Sequence, residues 1–423
     1  MKEIARRRFL KQVSLLPMIS PAIMIENVSK NNNGIISNTG WVRRARRNIP
    51  ATKDLFFQTA GIGPSPKSVM KEVANYLEFQ NRGPVNPEVY DIIGQIESDL
   101  RKKLADTFGA EEDEVTLTHS TSEGINIASW AINWEKGDEV LITNQEHPAN
   151  TIPWYSLSER FGIKIKRLNF NSDVDIVAQI EKSITNKVKM VSIPHVSRNN
   201  GRALTLDESK IIASLLKPKN IRYHLDGAQG PLCVPLNFHE LECDYYSTCG
   251  HKWILGPKGT GAFFCRKSML DSTWLTWTGS HSHTTMDQYG NFELIPAARR
   301  FEFGTRALAT FAGFNEAIKW NESIGINKIL KRIDSLVIYA IEEWTSRGYK
   351  VASPTSENKR SGILVVTLPK GVNGWEIYDH LRLNKSAFTS PVDSPNDLRI
   401  ALHFFNTKDE IRRVFDFIEI FSN

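Results

Sequence analysis

Short apolar runs that end in polar residues constrain this chain most, because helical patterns separate them. The runs occupy residues 114–118, 139–143, 188–193, 221–225 and 245–248. Strands that alternate with helices predict an α/β fold with a mostly parallel central sheet and helices on both of its faces. The carboxyl ends of parallel strands meet at one edge of such a sheet, where ligands gather. The polar residues at these strand ends are therefore the candidates for a binding or catalytic site.

The chain length and a later change of pattern predict two domains. The 423 residues exceed the size of one ordinary domain. From about residue 311, two helical patterns alternate with strand-like runs at 362–368 and 398–403. We predict a large domain over residues 55–310 and a smaller C-terminal α/β domain over residues 311–423.

The charge of the chain is concentrated at its amino-terminal end. The formal net charge is +6, but residues 1–50 hold ten Lys/Arg and two Asp/Glu, which is +8. The remainder holds 43 basic and 45 acidic residues, which is −2. A nearly neutral body offers no basic surface for nucleic acid, so we predict no nucleic-acid partner.

The first residues predict export. The segment Ala5–Lys11 resembles the twin-arginine signature, with Arg6 and Arg7 as the pair. The apolar stretch at 13–25 is short and broken by two prolines, so it cannot span a membrane. We predict a signal peptide over residues 1–25 and a periplasmic or exported enzyme with no membrane span. The alternative is a basic amino-terminal helix of a cytoplasmic protein.

Residues 26–54 are predicted to be a linker and an amino-terminal arm. Residues 30–34 are rich in Asn and Gly, which is typical of a flexible linker. Trp41–Arg47 forms a basic arm. We interpret its basic side chains as a solvated face, with contact to a partner subunit as the alternative.

The four cysteines give no metal or redox motif. They are Cys233, Cys243, Cys249 and Cys265. No CxxC pair occurs, and no His/Cys cluster has the spacing of a zinc site, so we predict no metal. We favour buried free thiols, while disulfides in an oxidising compartment are the alternative.

Asp226 and Lys252 form the central catalytic prediction. Lys252 follows a strand-like run, and a lysine amine in a pocket that favours its neutral form can form a Schiff base with an aldehyde. Asp226 ends the preceding apolar run, where a carboxylate can pair with a pyridinium nitrogen. A site of this composition suits a pyridoxal-phosphate cofactor.

Two motifs carry a family resemblance. Asp226–Gln229 and Gly250–Lys252 resemble the cofactor signature of fold-type I pyridoxal-phosphate enzymes, specifically the class V aminotransferase group. That group includes cysteine desulfurases and isopenicillin N epimerase-like proteins. The resemblance covers roughly residues 55–423 and implies the fold of a fold-type I transferase with pyridoxal 5′-phosphate as cofactor.

The resemblance also implies roles for further residues. Its cofactor-binding positions are Thr121 and Ser122 for the phosphate, His147 for stacking on the ring, Gln229 for the phenolic oxygen, and His251 for the phosphate. Thr121 and Ser122 lie in a Ser/Thr turn that we expect to open a helix over Ile125–Trp134, although such a turn alone is often an ordinary cap. Thr305 matches a threonine that reaches the phosphate of a neighbouring subunit, which implies a homodimer with shared active sites.

Three residues are predicted to contact the substrate. Arg399 matches the family arginine that binds the α-carboxylate, since a planar fork makes two parallel bonds to a carboxylate. Arg198 stands where many relatives have a small polar residue, which indicates either recognition of an anionic substrate group or an outward-facing arginine. Gln58 lies in a segment that crosses the mouth of the active site in the family.

The chemistry after removal of the α-proton is left open by the sequence. We predict an aminotransferase or epimerase of the isopenicillin N epimerase-like group, acting on an amino acid or amine. The alternative is a carbon–sulfur or carbon–carbon lyase. Desulfuration through a persulfide is disfavoured, because desulfurases need a cysteine on a C-terminal loop and the chain has none after Cys265. A non-catalytic cofactor-binding protein is a further alternative.

Overall fold

A seven-stranded sheet forms the centre of the molecule. The computed structural model describes residues 40–83 and 85–422. The sheet has the order β2-β8-β7-β6-β5-β3-β4. Its strands are β2 (Val115–Thr118), β3 (Glu139–Thr143), β4 (Lys164–Leu168), β5 (Val188–Pro194), β6 (Arg222–Asp226), β7 (Tyr245–Cys249) and β8 (Gly261–Cys265). A two-residue strand, β1 (Leu55–Phe56), precedes them outside this sheet.

The sheet is mostly parallel, as the sequence predicts. The pairs β4–β3, β3–β5, β5–β6 and β6–β7 are parallel, and β8 is antiparallel to both of its neighbours. The eleven residues between β7 and β8 are too few for the helical crossover that a parallel pair needs. The chain therefore returns antiparallel, and this turn contains Lys252.

Helices cover the sheet. Those of the larger part are α1 (Gly40–Arg46), α2 (Lys67–Asn81), α3 (Pro87–Phe108), α4 (Thr121–Ser129), α5 (Ile152–Phe161), α6 (Ile176–Ser183), α7 (Leu206–Leu216), α8 (Phe238–Leu241) and α9 (Leu308–Ile324). Alternate residues of β8 belong to two different hydrophobic clusters, with Phe264 in one and Phe263 in the other. Because side chains alternate across a strand, both faces of the sheet are buried.

The helix that follows β2 begins and ends earlier in the chain than the sequence predicts. We expected Ile125–Trp134, but α4 covers Thr121–Ser129 with Ser120 as its N-cap. The Ser/Thr turn is thus the first turn of the helix. The Trp134 indole N–H donates to the Ser129 carbonyl at 2.7 Å and satisfies one acceptor at the C-terminal end.

The C-terminal part contains a second, antiparallel sheet. An exposed hairpin, β9 (His283–Met286) and β10 (Phe292–Leu294), precedes it. The later elements are α10 (Ile326–Ser346), β11 (Ile363–Thr367), α11 (Gly374–Asn384), β12 (Ala387–Phe388), β13 (Ser390–Pro391), β14 (Asp397–Ala401) and α12 (Lys408–Ser422). The order β11-β14-β13 places β14 in the middle.

The predicted domain boundary at 310 and 311 falls within one helix. Helix α9 continues across it and packs against α2 and α3. The described residues form one compact unit. The division into a large and a small domain therefore stays a prediction, with the second sheet as the candidate core of the smaller one.

The amino-terminal arm is folded onto the C-terminal part. Arg43, Arg44 and Arg47 are exposed, as the solvated-face interpretation expects, whereas Arg46 is partly buried. Val42 and Ala45 of α1 are buried, and Trp41 stacks on Phe404 with ring centroids 5.6 Å apart. Arg46 Nη2 lies 2.6 Å from Glu410 Oε1. Helix α1 also has an apolar face, which was not recognised among its basic residues because Phe404 and Glu410, which contact the helix, lie near the other end of the chain. Residues 1–39, with the predicted signal peptide and most of the predicted linker, lie outside the described residues.

The described residues contain no helix that is long and apolar enough to cross a membrane. Within the same residues, no group of three or more His, Cys, Asp or Glu side chains is arranged to hold a metal ion. All four cysteines are buried free thiols.

Candidate active site

A cavity of about 260 Å³ lies at the carboxyl ends of β5, β6 and β7. It brings together nine predicted site residues from distant parts of the chain. They are Thr121, Ser122, His147, Arg198, Asp226, Gln229, His251, Lys252 and Arg399. Gln58 and Thr305 do not line it.

Lys252 lies in the tight turn that follows β7. Its carbonyl accepts a hydrogen bond from Leu255 N at 3.1 Å, and Gly63 N donates to the His251 carbonyl at 2.7 Å. A Cβ atom on Gly63 would lie 2.0 Å from the Lys252 carbonyl oxygen, so only glycine permits this approach. Burial lowers the pKa of Lys252, and Arg399 and Arg198 lower it further against the opposing effect of Asp226. The pocket therefore favours the neutral amine that attacks an aldehyde.

Asp226 ends the central strand β6 and is buried. Its Oδ1 accepts a hydrogen bond from Ala228 N at 2.9 Å. Burial raises its pKa, while the Ala228 N–H and Lys252 lower it. No described residue donates to Oδ2, so this oxygen is available to a ring N–H of a cofactor.

His147 follows β3 and presents an exposed ring to the pocket. Burial of its edge, with Lys252 and Arg198 nearby, lowers its pKa to about 4, so the imidazole is neutral. Its Nδ1 accepts a hydrogen bond from Ala149 N at 3.1 Å, which places the ring proton on Nε2. A neutral, open ring face suits stacking on a pyridine ring.

One corner of the pocket fits a phosphate. Thr121 Oγ1 and His251 Nδ1 are buried without hydrogen-bond partners among the described residues. Thr121 and Ser122 begin α4, whose free N–H groups favour an anion. The Cys249 thiol lies beside Thr121. A buried polar atom without a partner costs free energy, so these atoms indicate that the corner binds a ligand group.

Gln229 is held by two hydrogen bonds. Its Nε2 donates to the Ala60 carbonyl at 2.9 Å, and its Oε1 accepts from Trp253 Nε1 at 2.8 Å. The amide orientation is therefore fixed, with one N–H left to donate into the pocket. Together with Lys252, Asp226, His147 and the phosphate corner, the site fits pyridoxal phosphate.

Arg399 extends from β14 and is buried without an acidic partner. Its guanidinium donates to the Arg198 carbonyl at 3.2 Å, to Ser390 Oγ at 3.0 Å and to Gln58 Oε1 at 3.3 Å. Its Nε has no partner among the described residues. Burial and the nearby Arg198 lower the pKa of Arg399 to about 10, which leaves it protonated at neutral pH. A carboxylate is the partner it lacks.

Gln58 has a different position from the one we predicted. It does not line the pocket, and its Nε2 donates to the Thr389 carbonyl at 2.7 Å while its Oε1 accepts from Arg399. Gln58 therefore orients the Arg399 guanidinium without itself lining the pocket. The sequence could not show this, because the two residues lie 341 positions apart.

Thr305 is exposed and does not line the pocket of its own chain. It follows Glu302, which is buried and ion-paired with Arg101 and Arg306. The segment is thus held firmly with Thr305 facing outward. Its predicted contact with a neighbouring subunit stays a prediction.

Two functional residues escaped the sequence analysis. Ser390 holds Arg399, and its only signal was its place in the C-terminal segment that lacks a cysteine. Glu146 is buried next to His147, and burial raises its pKa to about 8 against the hydrogen bonds from Thr143 and Asn150.

Comparisons with known proteins agree with this geometry. The family described as aminotransferase class-V matches residues 55–414. A probable cysteine desulfurase of Borreliella burgdorferi is 26% identical over 408 residues, which is 89% of this chain and 95% of the relative. A cysteine desulfurase of Wigglesworthia glossinidia brevipalpis is 32% identical over 251 residues, which is 57% of this chain and 60% of the relative.

Solved structures share the fold. The cystine C–S lyase C-DES, in complex with its reaction product cysteine persulfide, has a TM-score of 0.81 and 24% identity over 86% of this chain and 97% of the other. The apo cysteine desulfurase from Thermococcus onnurineus NA1 has a TM-score of 0.81 and 22% identity over 90% of this chain and 98% of the other.

Proposed function

Because the chain belongs to the aminotransferase class-V family and is a pyridoxal-phosphate-dependent enzyme, we propose that it is a carbon–sulfur lyase. Its substrate is a sulfur-bearing α-amino acid, and the sulfur leaves directly into solution. The names of its relatives, cysteine desulfurase in both cases quoted above, support sulfur chemistry. This function differs from the aminotransferase or epimerase that we predicted first.

The position of the thiols carries the proposal. Among the described residues that line the pocket, Cys249 is the one thiol, and it is buried beside Thr121 in the phosphate corner. Burial raises its pKa, which suppresses the thiolate needed for attack on sulfur. The C-terminal segment offers Ser390 and Asp393, which are engaged with Arg399 and Asn199.

The atom balance distinguishes the two kinds of sulfur chemistry. Conversion of cysteine to alanine transfers a sulfur atom to an acceptor thiol, and this pocket has no reactive thiol. In β-elimination the α-proton leaves to a base, and the carbon–sulfur bond breaks with its electron pair on sulfur. The departing sulfur takes up a proton, which gives a thiol from an S-alkylcysteine and cysteine persulfide from cystine. Water then hydrolyses the remaining three-carbon enamine to pyruvate and ammonia. No protein thiol and no oxidant or reductant take part.

Each residue of the site has a role in this reaction. When bound, pyridoxal phosphate supplies an electron sink for the α-carbon. Lys252 Nζ would hold the cofactor through its aldehyde, and as a neutral amine it would accept the α-proton of the substrate. Asp226 would pair with the cofactor ring nitrogen, and His147 would stack on the ring. Arg399 would bind the α-carboxylate of the substrate.

Transamination is the second candidate, because Lys252 and Arg399 serve it equally well. Epimerisation has less support, since it needs an acid on the ring face opposite Lys252. Among the described residues that line the pocket, no tyrosine and no carboxyl group other than Asp226 is present, and burial lowers the pKa of His147 to about 4, so its imidazole carries no acidic proton to donate at neutral pH. Nothing among the described residues that line the pocket favours carbon–carbon cleavage over the other reactions.

Proton NMR in heavy water tests the proposal. The holoenzyme is incubated with L-cystine, S-alkyl-L-cysteines, L-alanine and L-aspartate, each with and without a 2-oxo acid. We expect pyruvate and ammonia from every sulfur compound, together with a thiol from the S-alkylcysteines and cysteine persulfide from L-cystine, and none of these products from the Lys252→Ala variant. Formation of a new amino acid at the expense of the 2-oxo acid would establish an aminotransferase instead. Exchange of the α-proton with retention of the amino acid would indicate an epimerase.

We also propose a homodimer in which Thr305 reaches the phosphate of the neighbouring subunit. Thr305 is exposed on a firmly held segment, and aromatic side chains nearby in sequence, including Trp277 and Phe292, are exposed. Sedimentation analysis should give a dimer. Mixing inactive Lys252→Ala and Thr305→Ala subunits should yield hybrids whose activity differs from that of either parent. A monomer with full activity would overturn this proposal.

We further propose export through the twin-arginine route, on the sequence of residues 1–25 alone. Replacing Arg6 and Arg7 together by lysine should leave the protein in the cytoplasm, where fractionation and immunoblotting detect it. Equal periplasmic amounts of the variant and the natural sequence would contradict this proposal.

A further inference from the structure

The pocket carries an excess of positive charge. The charged guanidinium groups of Arg198 and Arg399 line it, against one carboxyl group, that of Asp226, among the described residues that do so, and Lys252 is not counted because its pKa is lowered. Its histidines are neutral, since burial lowers the pKa of both His147 and His251 to about 4. Such a pocket is built to receive anions.

Arg198 has no partner of its own. Its side chain is half-buried in the turn after β5 and lines the cavity, and no described side chain or carbonyl accepts from its guanidinium. The neighbouring residue Asn199 donates through Nδ2 to Asp393 Oδ2 at 3.1 Å, so that carboxylate is engaged by Asn199. Partly buried guanidinium groups ordinarily have an acceptor, because desolvation without one costs free energy.

The cofactor and the α-carboxylate do not account for Arg198. The phosphate fits the corner of Thr121 and His251, whose buried polar atoms lack partners. The α-carboxylate fits Arg399, which Gln58 and Ser390 hold in place. One half-buried cation therefore remains without an anion.

The location of Arg198 limits where that anion lies. Its charge acts on Lys252, His147 and Arg399 alike, and these three groups surround the place of the reacting carbon. The second anion must therefore lie within a few bonds of the α-carbon. A short side chain that ends in an acid meets this requirement.

We propose that Arg198 binds a second anionic group, carried by the substrate on its sulfur leaving group. The substrate class is an S-substituted cysteine whose substituent bears a carboxylate or another small acid. The statement about the leaving group rests on the proposed function, whereas the recognition of two anions by Arg198 and Arg399 does not. Arg198 is thus the residue that determines specificity.

Binding of unreactive acids tests the two-anion site apart from any cleavage. Succinate and butyrate have the same carbon skeleton and differ in one carboxylate. Their dissociation constants for the holoenzyme are measured by calorimetry with the natural chain and with Arg198→Met, Arg198→Lys and Arg160→Met. The last is the matched control, because Arg160 is exposed and stacks on Trp130 outside the pocket.

We expect succinate to bind more tightly than butyrate to the natural chain. Arg198→Met should weaken succinate binding by about 10- to 100-fold and leave butyrate unchanged, since a charge-assisted pair is lost. Arg198→Lys should be intermediate, and Arg160→Met should have no effect. Equal weakening of both acids would show that Arg198 shares the α-carboxylate with Arg399, and no weakening would show that it binds neither. Either result overturns the proposal.

Cleavage of two S-substituted cysteines provides a second test that is independent of the binding measurements. Natural enzyme and Arg198→Met are compared on S-carboxymethyl-L-cysteine and S-propyl-L-cysteine, with pyruvate as the readout. Preference for the carboxymethyl compound should be lost in the variant. If the succinate result holds and neither compound is cleaved, the proposed function fails while the two-anion site stands. If the natural enzyme cleaves both compounds equally well and Arg198→Met binds succinate as the natural chain does, the enzyme is a lyase but Arg198 does not bind a second anion.

Discussion

Ser390 and Arg399 face each other across the small sheet, where they are register partners on β13 and β14. Arg399 Nη2 donates to Ser390 Oγ at 3.0 Å, and both residues are buried. The C-terminal segment, which has no cysteine, thus contributes a serine that holds the arginine for which we propose binding of the substrate carboxylate.

Removal of the Ser390 hydroxyl should weaken substrate binding. In Ser390→Ala, Arg399 keeps two acceptors and becomes less well oriented, so we expect KM to rise by roughly 3- to 10-fold at unchanged kcat. Steady-state kinetics measures this split. Ser394→Ala, at an exposed position of the same segment, is the control. An equal loss in kcat would place Ser390 in the chemical step instead.

Loss of the Lys252 amine should abolish turnover while the cofactor remains bound. In Lys252→Ala we expect kcat to fall by at least about 10³-fold, because the general base and the covalent anchor are both lost. Borohydride should fix the cofactor to the natural chain and not to the variant, as mass spectrometry would show. Lys258→Ala, in the same turn region, should behave as the natural chain does. Cofactor fixed to another lysine would contradict the assignment.

The pH dependence of cofactor uptake should report the pKa of Lys252. Only the neutral amine attacks the aldehyde, so the uptake rate should rise with pH and level off above this pKa, which burial lowers from 10.5. Arg198 and Arg399 also lower it. In Arg198→Met the midpoint of the uptake rate should therefore move to higher pH. The rate is measured from the absorbance change when cofactor is added to the apoenzyme. A midpoint that moves to lower pH would refute this electrostatic account.

The amino-terminal arm should contribute measurably to stability. Arg46 is ion-paired with the buried Glu410 and also donates to the Phe405 carbonyl. In Arg46→Met, Glu410 would lose its cation, so we expect the free energy of unfolding to fall by about 3 kcal/mol. Arg43→Met, at an exposed position of the same helix, should change it by less than about 0.5 kcal/mol. Equal urea midpoints for both variants would show that the arm does not stabilise the fold.

Local patterns predicted the strand ends and the pair Asp226 and Lys252, and the family resemblance implied the roles of the other site residues. Asp226, His147 and Lys252 each follow a buried strand, and a mostly parallel sheet brings such positions to one edge. The antiparallel direction of β8 also follows from the short connection before it. These features depend on residues that are close in sequence, so one sequence is sufficient to predict them.

Contacts between distant segments were not predictable. The pairing of β1 with β12 joins residues 55–56 to 387–388, and it brings Gln58 behind Arg399. The burial of α1 depends on Phe404 and Glu410 at the other end of the chain. No local periodicity records such partners, so Arg46 was interpreted as solvated along with the other basic residues of the arm.

The central claim is that this site cleaves a carbon–sulfur bond without storing sulfur on the protein. The most direct measurement is the intact mass of the holoenzyme during a single turnover with cystine, together with sulfur recovered in solution. We predict an unchanged protein mass, all of the sulfur in small molecules, and the same result in Cys249→Ser. Sulfur covalently attached to the natural chain, and absent from Cys249→Ser, would contradict the account.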